Sequence, residues 1–440
     1  MELKNEITVI LNSNKTSGKI SKPIFEILVQ YMDFKMFFRF GTRVCKTFRG
    51  LFFNSSRWRI IDLSFLGSVD ANFKIYKLCG TLRSYHQNGN FIFEDDEENP
   101  ITNTTNDETA TNKIFYTPYV ETLILDSLDK ATEDCFKHIN NCRIMNKIEN
   151  LSLFKTNIRS LNIFFETNPP RNIISLALPT LTDIQANHYK KIPNLQSLAL
   201  NGIYQPVQII KFLDSCKSLK KLDIFHSLKS LDENLSSKLI TCTQITHLRL
   251  SNIDIDTDIL LTIFMNLINL EHLVVHNIAQ LSSACVDTAI ESLKNLKELN
   301  IKFCRNANKI TESSKSLQIF DCSYSGIKSF EFPNLISLTI GGYSLNNYEI
   351  FDIFSQFHSL KYLDLGRADI TNEKLQTIFK YVGKDLEVIN LLDNKSISSD
   401  SVDLVISKCP KLFKLFIDKN QNISKETIER LKSLNILLKN

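Results

Sequence analysis

Two histidines, His272 and His276, stand four residues apart in "HLVVH", and imidazole pairs are common metal ligands. The residues around them alternate as a strand does, which sets the two rings about 13 Å apart along the axis. That is too far for one ion, so no metal is expected. Ten cysteines are the other soft ligands, but no Cys-x-x-Cys and no zinc spacing occurs among them. The chain has only 12 glycines. Its one Ser/Gly stretch, "NKTSGK" from Asn14 to Lys19, lacks the spacing of a phosphate-cradling loop. Neither a Gly-x-Ser-x-Gly elbow nor a His-Glu-x-x-His motif is present. No catalytic residue and no cofactor are expected.

The histidines sit inside a repeat. From residue 120 one hexad recurs: apolar, two residues, apolar, one residue, apolar. It starts as "VETLIL" at Val120, "IENLSL" at Ile148, "IISLAL" at Ile173 and "LQSLAL" at Leu195. It continues as "LKKLDI" at Leu219, "ITHLRL" at Ile245, "LEHLVV" at Leu270, "LKELNI" at Leu296 and "LQIFDC" at Leu317. It ends as "LISLTI" at Leu335, "LKYLDL" at Leu360, "LEVINL" at Leu386 and "LFKLFI" at Leu412. Steps run from 18 to 28 residues, mostly within the ~20–29 of leucine-rich repeats. Each hexad ends with the alternation of a short strand. Stretches of helical spacing follow, as in "SVDLVISKCPKL" with Val402, Leu404 and Val405, and "NEKLQTIFKYV" with Leu375, Ile378 and Phe379. One strand and one helix cannot bury their own apolar faces; stacked neighbours can. The expected fold is α/β: a solenoid with a parallel sheet on its concave face.

The repeats resemble the cysteine-containing subtype of leucine-rich repeat. There a Cys, often followed by Pro, precedes the first leucine by three residues, as Cys216, Cys242 and Cys409 do in "CKSL", "CTQI" and "CPKL". Cys304, after a strand in "LNIKFC", occupies the subtype's other cysteine position. Such thiols read as small buried residues at helix–strand turns.

The stretch before the repeats differs. In "ISKPIFEILVQYM", Ile24, Phe25, Leu28, Tyr31 and Met32 share one helical face. A second apolar stretch carries Val44, Cys45, Lys46 and Phe48, and Trp58, the single tryptophan, leads into "RIIDL". This series resembles the F-box, the small helical module that binds the Skp adaptor of cullin–RING ubiquitin ligases. Two residue positions depart from the family pattern, and the segment between Asp33 and Val44 departs from it by about one residue in length. Ile20-Ser21 stands where Leu-Pro is usual, and Phe48 stands where a tryptophan is usual. An F-box followed by cysteine-containing repeats resembles the F-box/leucine-rich-repeat proteins, which hold substrates for ubiquitination. The resemblance implies adaptor binding through Ile24, Phe25, Leu28, Tyr31, Met32, Val44 and Phe48. The same helices also read as a cap over the open apolar end that every solenoid has.

The expected organisation is a disordered segment 1–19, a helical F-box-like module 20–57, and the repeat solenoid 58–440. An acidic, Asn/Thr-rich insertion at about 86–113 reads as a disordered loop. The net charge of +4 is too weak to point to nucleic acid or membrane. The first residues hold only a short apolar run, Ile7 to Leu11, which is no signal peptide. No run approaches the ~18 apolar residues of a membrane span. Ten cysteines without a secretory signal indicate reduced thiols, in cytoplasm or nucleus.

In each hexad the third and fifth residues, and the one after the sixth, are expected on the concave face. There Phe225, His247, Arg249, His272, His276 and Lys302 gather as a neighbouring, positively tending aromatic patch. Aromatics and Arg are typical interface anchors, so the patch is the expected site for a protein substrate. The same residues read equally as a solvated face without a ligand. The sequence therefore points to a non-enzymatic substrate receptor of a Skp–cullin–F-box ligase, monomeric when free. A plain repeat scaffold and a regulator of a small GTPase are the other readings.

Overall fold

The computed structural model describes residues 60–62, 121–126, 148–156, 172–179, 192–202, 204–226, 229–342, 353–420, 422–434 and 436–438. The segment 1–19, the module 20–57 and the insertion 86–113 lie outside them. The chain divides into two units, Met1–Asn194 and Leu195–Asn440.

In the first unit β1 (Ile60–Asp62), β2 (Thr122–Ile124), β3 (Asn150–Ser152) and β4 (Ser175–Leu178) pair in parallel in that order. Ile61 lies opposite Leu123, and Leu123 opposite Leu151, which lies opposite Leu176. Leu123, Leu125, Leu151, Leu153, Leu176 and Leu178 are buried.

The second unit continues the pattern with β5 (Ser197–Asn201), β6 (Lys221–Phe225), β7 (His247–Ser251), β8 (His272–His276) and β9 (Glu298–Asn300). After a small strand β10 (Lys309–Ser313) come β11 (Ile319–Asp321), a second small strand β12 (Ser329–Glu331), β13 (Ser337–Thr339) and β14 (Tyr362–Asp364). The last are β15 (Val388–Asn390), β16 (Lys414–Phe416) and β17 (Leu437–Leu438). Apart from β10 and β12, which pair with each other, these strands form one parallel sheet in chain order. Every hexad becomes a strand that begins at its third residue. The fourth residues form an unbroken row: Leu198, Leu222, Leu248, Leu273, Leu299, Phe320, Leu338, Leu363, Ile389 and Leu415. All ten are buried, and each contributes on the order of 2 kcal/mol of apolar burial. A slip of one residue would turn the whole row to water, so the register is strongly specified. This is the leucine-rich-repeat architecture.

The return segments are α1 (Pro206–Ser215), α2 (Glu233–Ile240), α3 (Thr257–Asn266), α4 (Ser283–Ser292), α5 (Asn372–Ile378), α6 (Ser399–Lys408) and α7 (Lys425–Ser433). Their starts are chemical. Pro206 opens α1 with its fixed φ. Asp232, Ser282, Thr371 and Ser424 accept a backbone N–H at the first turns of α2, α4, α5 and α7. Buried residues recur at three and four, as Ile209, Phe212 and Leu213 in α1 and Leu260, Ile263 and Phe264 in α3. The helices α1, α3, α4 and α6 end on Cys216, Leu267, Leu293 and Cys409. The two cysteines are buried and interchange there with leucine, as apolar plugs would.

The two shortest repeats, 21 and 18 residues long, are too brief for a return helix. In their place stand β10 and β12, and aromatic rings fill the core behind them. Phe320 meets Phe330 and Phe332 edge to face, with centroids 4.9 and 5.1 Å apart.

Each strand of the middle and late repeats is left through a left-handed residue two positions after the hexad. His226, Asn252, Asn277, Phe303, Tyr324, Gly342, Arg367, Asp393 and Lys419 occupy this place, all with φ between 50° and 90°. Asn, Asp and Gly adopt that conformation cheaply; bulky residues do not.

Candidate functional site

The open face of the β6–β9 sheet carries every expected substrate-facing residue except Lys302, which follows β9. On β6, Lys221, Asp223 and Phe225 reach the surface while Leu222 and Ile224 are buried. On β7 this holds for His247 and Arg249, but Ser251 is fully buried. On β8, His272 and His276 reach the surface, but Val274 between them is buried.

The residues form three rows across the strands. In the first, His247 lies opposite His272 and His272 opposite Glu298. The two imidazoles stack with centroids 4.0 Å apart and planes 12° apart. Nδ1 of His272 lies 2.8 Å from Glu298 Oε2, and Nδ1 of His247 lies 2.8 Å from Thr246 Oγ1. Burial, then His272 and Lys221, push the His247 pKa down to about 4.

In the second row Asp223 lies opposite Arg249, and Arg249 Nη1 donates to Asp223 Oδ2 at 3.3 Å. Burial raises the Asp223 pKa, against the pull of Arg249. Asp223 Oδ1 has no hydrogen-bond partner, and neither has Ser251 Oγ in the third row.

The third row holds Phe225, Ser251 and His276. Nε2 of His276 lies 2.8 Å from Asn300 Oδ1. That oxygen also accepts the Lys302 N–H, and Asn300 Nδ2 donates to Asp321 Oδ2 at 3.2 Å. The amide orientation is therefore set by its neighbours, and His276 is the donor through Nε2. Burial lowers its pKa.

The face is thus contiguous, but it is not the cationic patch expected from the sequence. Arg249 is paired with Asp223 and His272 with Glu298, while His247 is held neutral above about pH 4. The surface is a polar, ring-bearing one whose Arg249 and His272 are paired, with Asp223 Oδ1 and Ser251 Oγ left without hydrogen-bond partners. His272 and His276 engage different partners, and no group of three metal-ligating side chains gathers among the described residues.

Lys302 belongs to a different feature. Its Nζ sits 5.3 Å from the centroid of Phe303 and 5.8 Å from that of Tyr324. These two rings, a repeat apart, stack at 4.9 Å and 20°. Arg367 hydrogen-bonds the Tyr324 side chain and, through Nε, Asp393 Oδ2 at 3.2 Å. Phe303 and Tyr324 fall outside the outward-facing hexad positions because neither lies on a strand. Counting two places beyond each hexad finds them, since the other occupants there include Asn252, Asn277 and Asp393.

The adaptor-facing residues Ile24, Phe25, Leu28, Tyr31, Met32, Val44 and Phe48 lie outside the described residues. Among the described residues, no helix is long and apolar enough to cross a membrane.

No family model matches the chain, and no curated protein matches it. Among solved structures, it is similar to the crystal structure of the Rad7 and Elc1 complex in yeast. That likeness has 15% identity, 73% of this chain and 80% of that chain, and a TM-score of 0.44. It is also similar to an internalin, inlF, from Listeria monocytogenes. There the identity is 16%, over 71% of this chain and 90% of that chain, with a TM-score of 0.39.

Proposed function

We propose that this protein is the substrate-recognition subunit of a Skp–cullin–F-box ubiquitin ligase. The order of its modules carries the reading. The F-box-like series ends in Trp58, and two residues later Ile60–Asp62 is already the first strand of the array, paired with β2. An adaptor-binding module spliced directly onto a repeat array suits a receptor that must hold a substrate at a fixed distance from the ligase. Such a receptor needs no chemistry of its own. Its contribution is proximity, raising the effective concentration of substrate near the conjugating enzyme. It would work in the cytoplasm or nucleus.

In this reading Ile24, Phe25, Leu28, Tyr31, Met32, Val44 and Phe48 dock the adaptor, and the open face of β6–β9 receives a protein. Polar groups around stacked rings favour specificity over bulk adhesion, because a wrong partner leaves buried donors and acceptors unpaired.

The test is capture of purified Skp adaptor by the full chain, by Tyr31→Ala with Met32→Ala, and by a chain beginning at residue 64. Capture by the full chain alone, with unchanged far-UV spectra in the double variant, upholds the reading. Failure of the full chain overturns it in favour of a binding scaffold whose N-terminal helices only cap the array.

A further inference from the structure

Phe303 and Tyr324 take left-handed backbone, φ 64° and 56°, where bulky side chains are disfavoured. The corresponding place holds Asn252, Asn277 and Gly342 in nearby repeats, which take it readily, and the bulkier His226, Arg367 and Lys419 in others. Stability alone would choose Asn or Gly here too. Burial does not compensate: Phe303 is 41% exposed. Yet the surroundings are arranged to keep both rings in place. Gly342 leaves room for Tyr324, since a Cβ there would come within 2.6 Å of its ring. Arg367 holds the Tyr324 side chain from two repeats on.

Asp393, which reaches the pair through Arg367, is paired with that arginine; the charges beside the rings in sequence are basic. Lys302 lies over both rings and, among the described residues, makes no ion pair. Arg305 follows two residues after Phe303 and is exposed. Neither segment 302–309 nor segment 322–328 contains a carboxylate. Asp321, the nearest acid in sequence, is occupied by Asn300 and Ser323. An ammonium without an ion pair beside pre-stacked rings, Phe303 exposed and Tyr324 half-buried, is complementary to an anion adjoining an apolar group.

We infer that Lys302, Phe303 and Tyr324 form a docking edge for an extended protein segment in which an acidic residue adjoins an aromatic one. The aromatic side chain packs on Phe303 and its neighbouring carboxylate pairs with Lys302. This rests on the reading of the array as a protein-binding surface and is independent of adaptor capture, which is measured separately.

The test uses the full chain and fluorescein-labelled peptides carrying Asp-Phe pairs spaced by Gly-Ser, followed by fluorescence anisotropy. Peptides with Asp-Ala or Lys-Phe pairs, and a twelve-nucleotide oligo-dT, are the comparisons. Saturable binding of the Asp-Phe peptide alone is expected. It should weaken at least tenfold in Phe303→Asn and in Lys302→Glu, and stay unchanged in Lys425→Glu, an exposed position on α7. Asn suits the left-handed backbone, so Phe303→Asn should unfold no earlier than the parent, and loss of binding cannot then be ascribed to misfolding. Absence of Asp-Phe binding, equal binding of the Asp-Ala or Lys-Phe peptide, insensitivity to Phe303→Asn, or preference for oligo-dT would each overturn the inference.

Discussion

His247 and His272 lie face to face across a full repeat, their ring centroids 4.0 Å apart. Two cations cannot share that geometry at low cost, and burial further disfavours charge on His247. The neutral form is therefore the one the fold selects. The groups facing it are His272, Lys221, Glu271 and Glu298. Its folded pKa of about 4 lies below the unfolded value near 6.5. The stability it contributes is complete above pH 6.5 and is lost as pH falls toward 4. Urea midpoints taken from pH 7 to pH 4 should fall more steeply for the parent than for His247→Gln. Parallel curves would show that this imidazole does not titrate against the fold.

Asn394 is the most heavily used polar side chain of the late repeats. It is 1% exposed. Its Oδ1 accepts the N–H groups of Ala368 and Ile370 at 3.1 and 3.0 Å, and its Nδ2 donates to the carbonyls of Leu365 and Leu391 at 2.9 and 3.0 Å. One amide thus satisfies backbone groups of two successive repeats where no strand partner exists. Asn394→Ala should destabilise the array by about 3 kcal/mol, since orphaned buried groups cost about 1–3 kcal/mol each. Asn394→Leu should do no better despite its apolar bulk. Denaturant titration decides: a loss below about 1 kcal/mol in both variants would mean that water replaces the amide.

Sheet and register were legible because a period of two, repeated thirteen times, admits one consistent phase. Every hexad from Val120 to Leu412 is a strand starting at its third residue. The helices were legible where apolar residues kept helical spacing, as at Ser399–Lys408 and Asn372–Ile378. The small paired strands β10 and β12 were not, although steps of 21 and 18 residues left no room for a helix. Ile310 and Phe330 alternate with polar neighbours over too few residues to signal a strand. At the site, strand positions of His247, Arg249, His272 and His276 followed from the hexads, but their charge state did not. Asp223 and Glu298, which pair with Arg249 and His272, come from adjoining repeats 26 residues away. Only the register brings them together. The Phe303–Tyr324 stack escaped because it depends on a backbone conformation that Phe and Tyr do not advertise.

Gly342 should prove intolerant of a single methyl group. Its φ is +90°, and a Cβ would fall within 2.6 Å of Tyr324 Cδ1 and 2.8 Å of Cε1. Gly342→Ala should therefore cost about 2 kcal/mol, from backbone strain and the displaced ring together. It should also weaken the near-UV circular dichroism of the Phe303–Tyr324 stack while far-UV spectra stay the same. Combining it with Tyr324→Ala should recover part of the loss, because the ring clash disappears while the strain remains. If the double variant is no more stable than the sum of the two single changes, the contact with Tyr324 is not the cause.

The buried thiols give the array an alkaline limit. Burial pushes the pKa of Cys216 and Cys304 up to about 11 and that of Cys409 up to about 12, against an ordinary 9.0. In each case the folded state favours the neutral thiol and the unfolded chain ionises first. The stability they contribute is therefore complete below pH 9 and is lost as pH rises toward 11. Cys304 is the sharpest probe, because its Sγ donates to the Val275 carbonyl at 3.1 Å. Cys304→Ser keeps a donor at that place but does not ionise in this range. Between pH 8 and 10.5 its denaturation midpoint should decline less than the parent's, although lysines and tyrosines titrate equally in both. At pH 8 the native thiols of Cys216, Cys304 and Cys409 should resist iodoacetamide and react only after urea is added. Rapid labelling of the native chain would mean that these thiols are open to solvent, and equal alkaline decline in the two chains would remove Cys304 as its source.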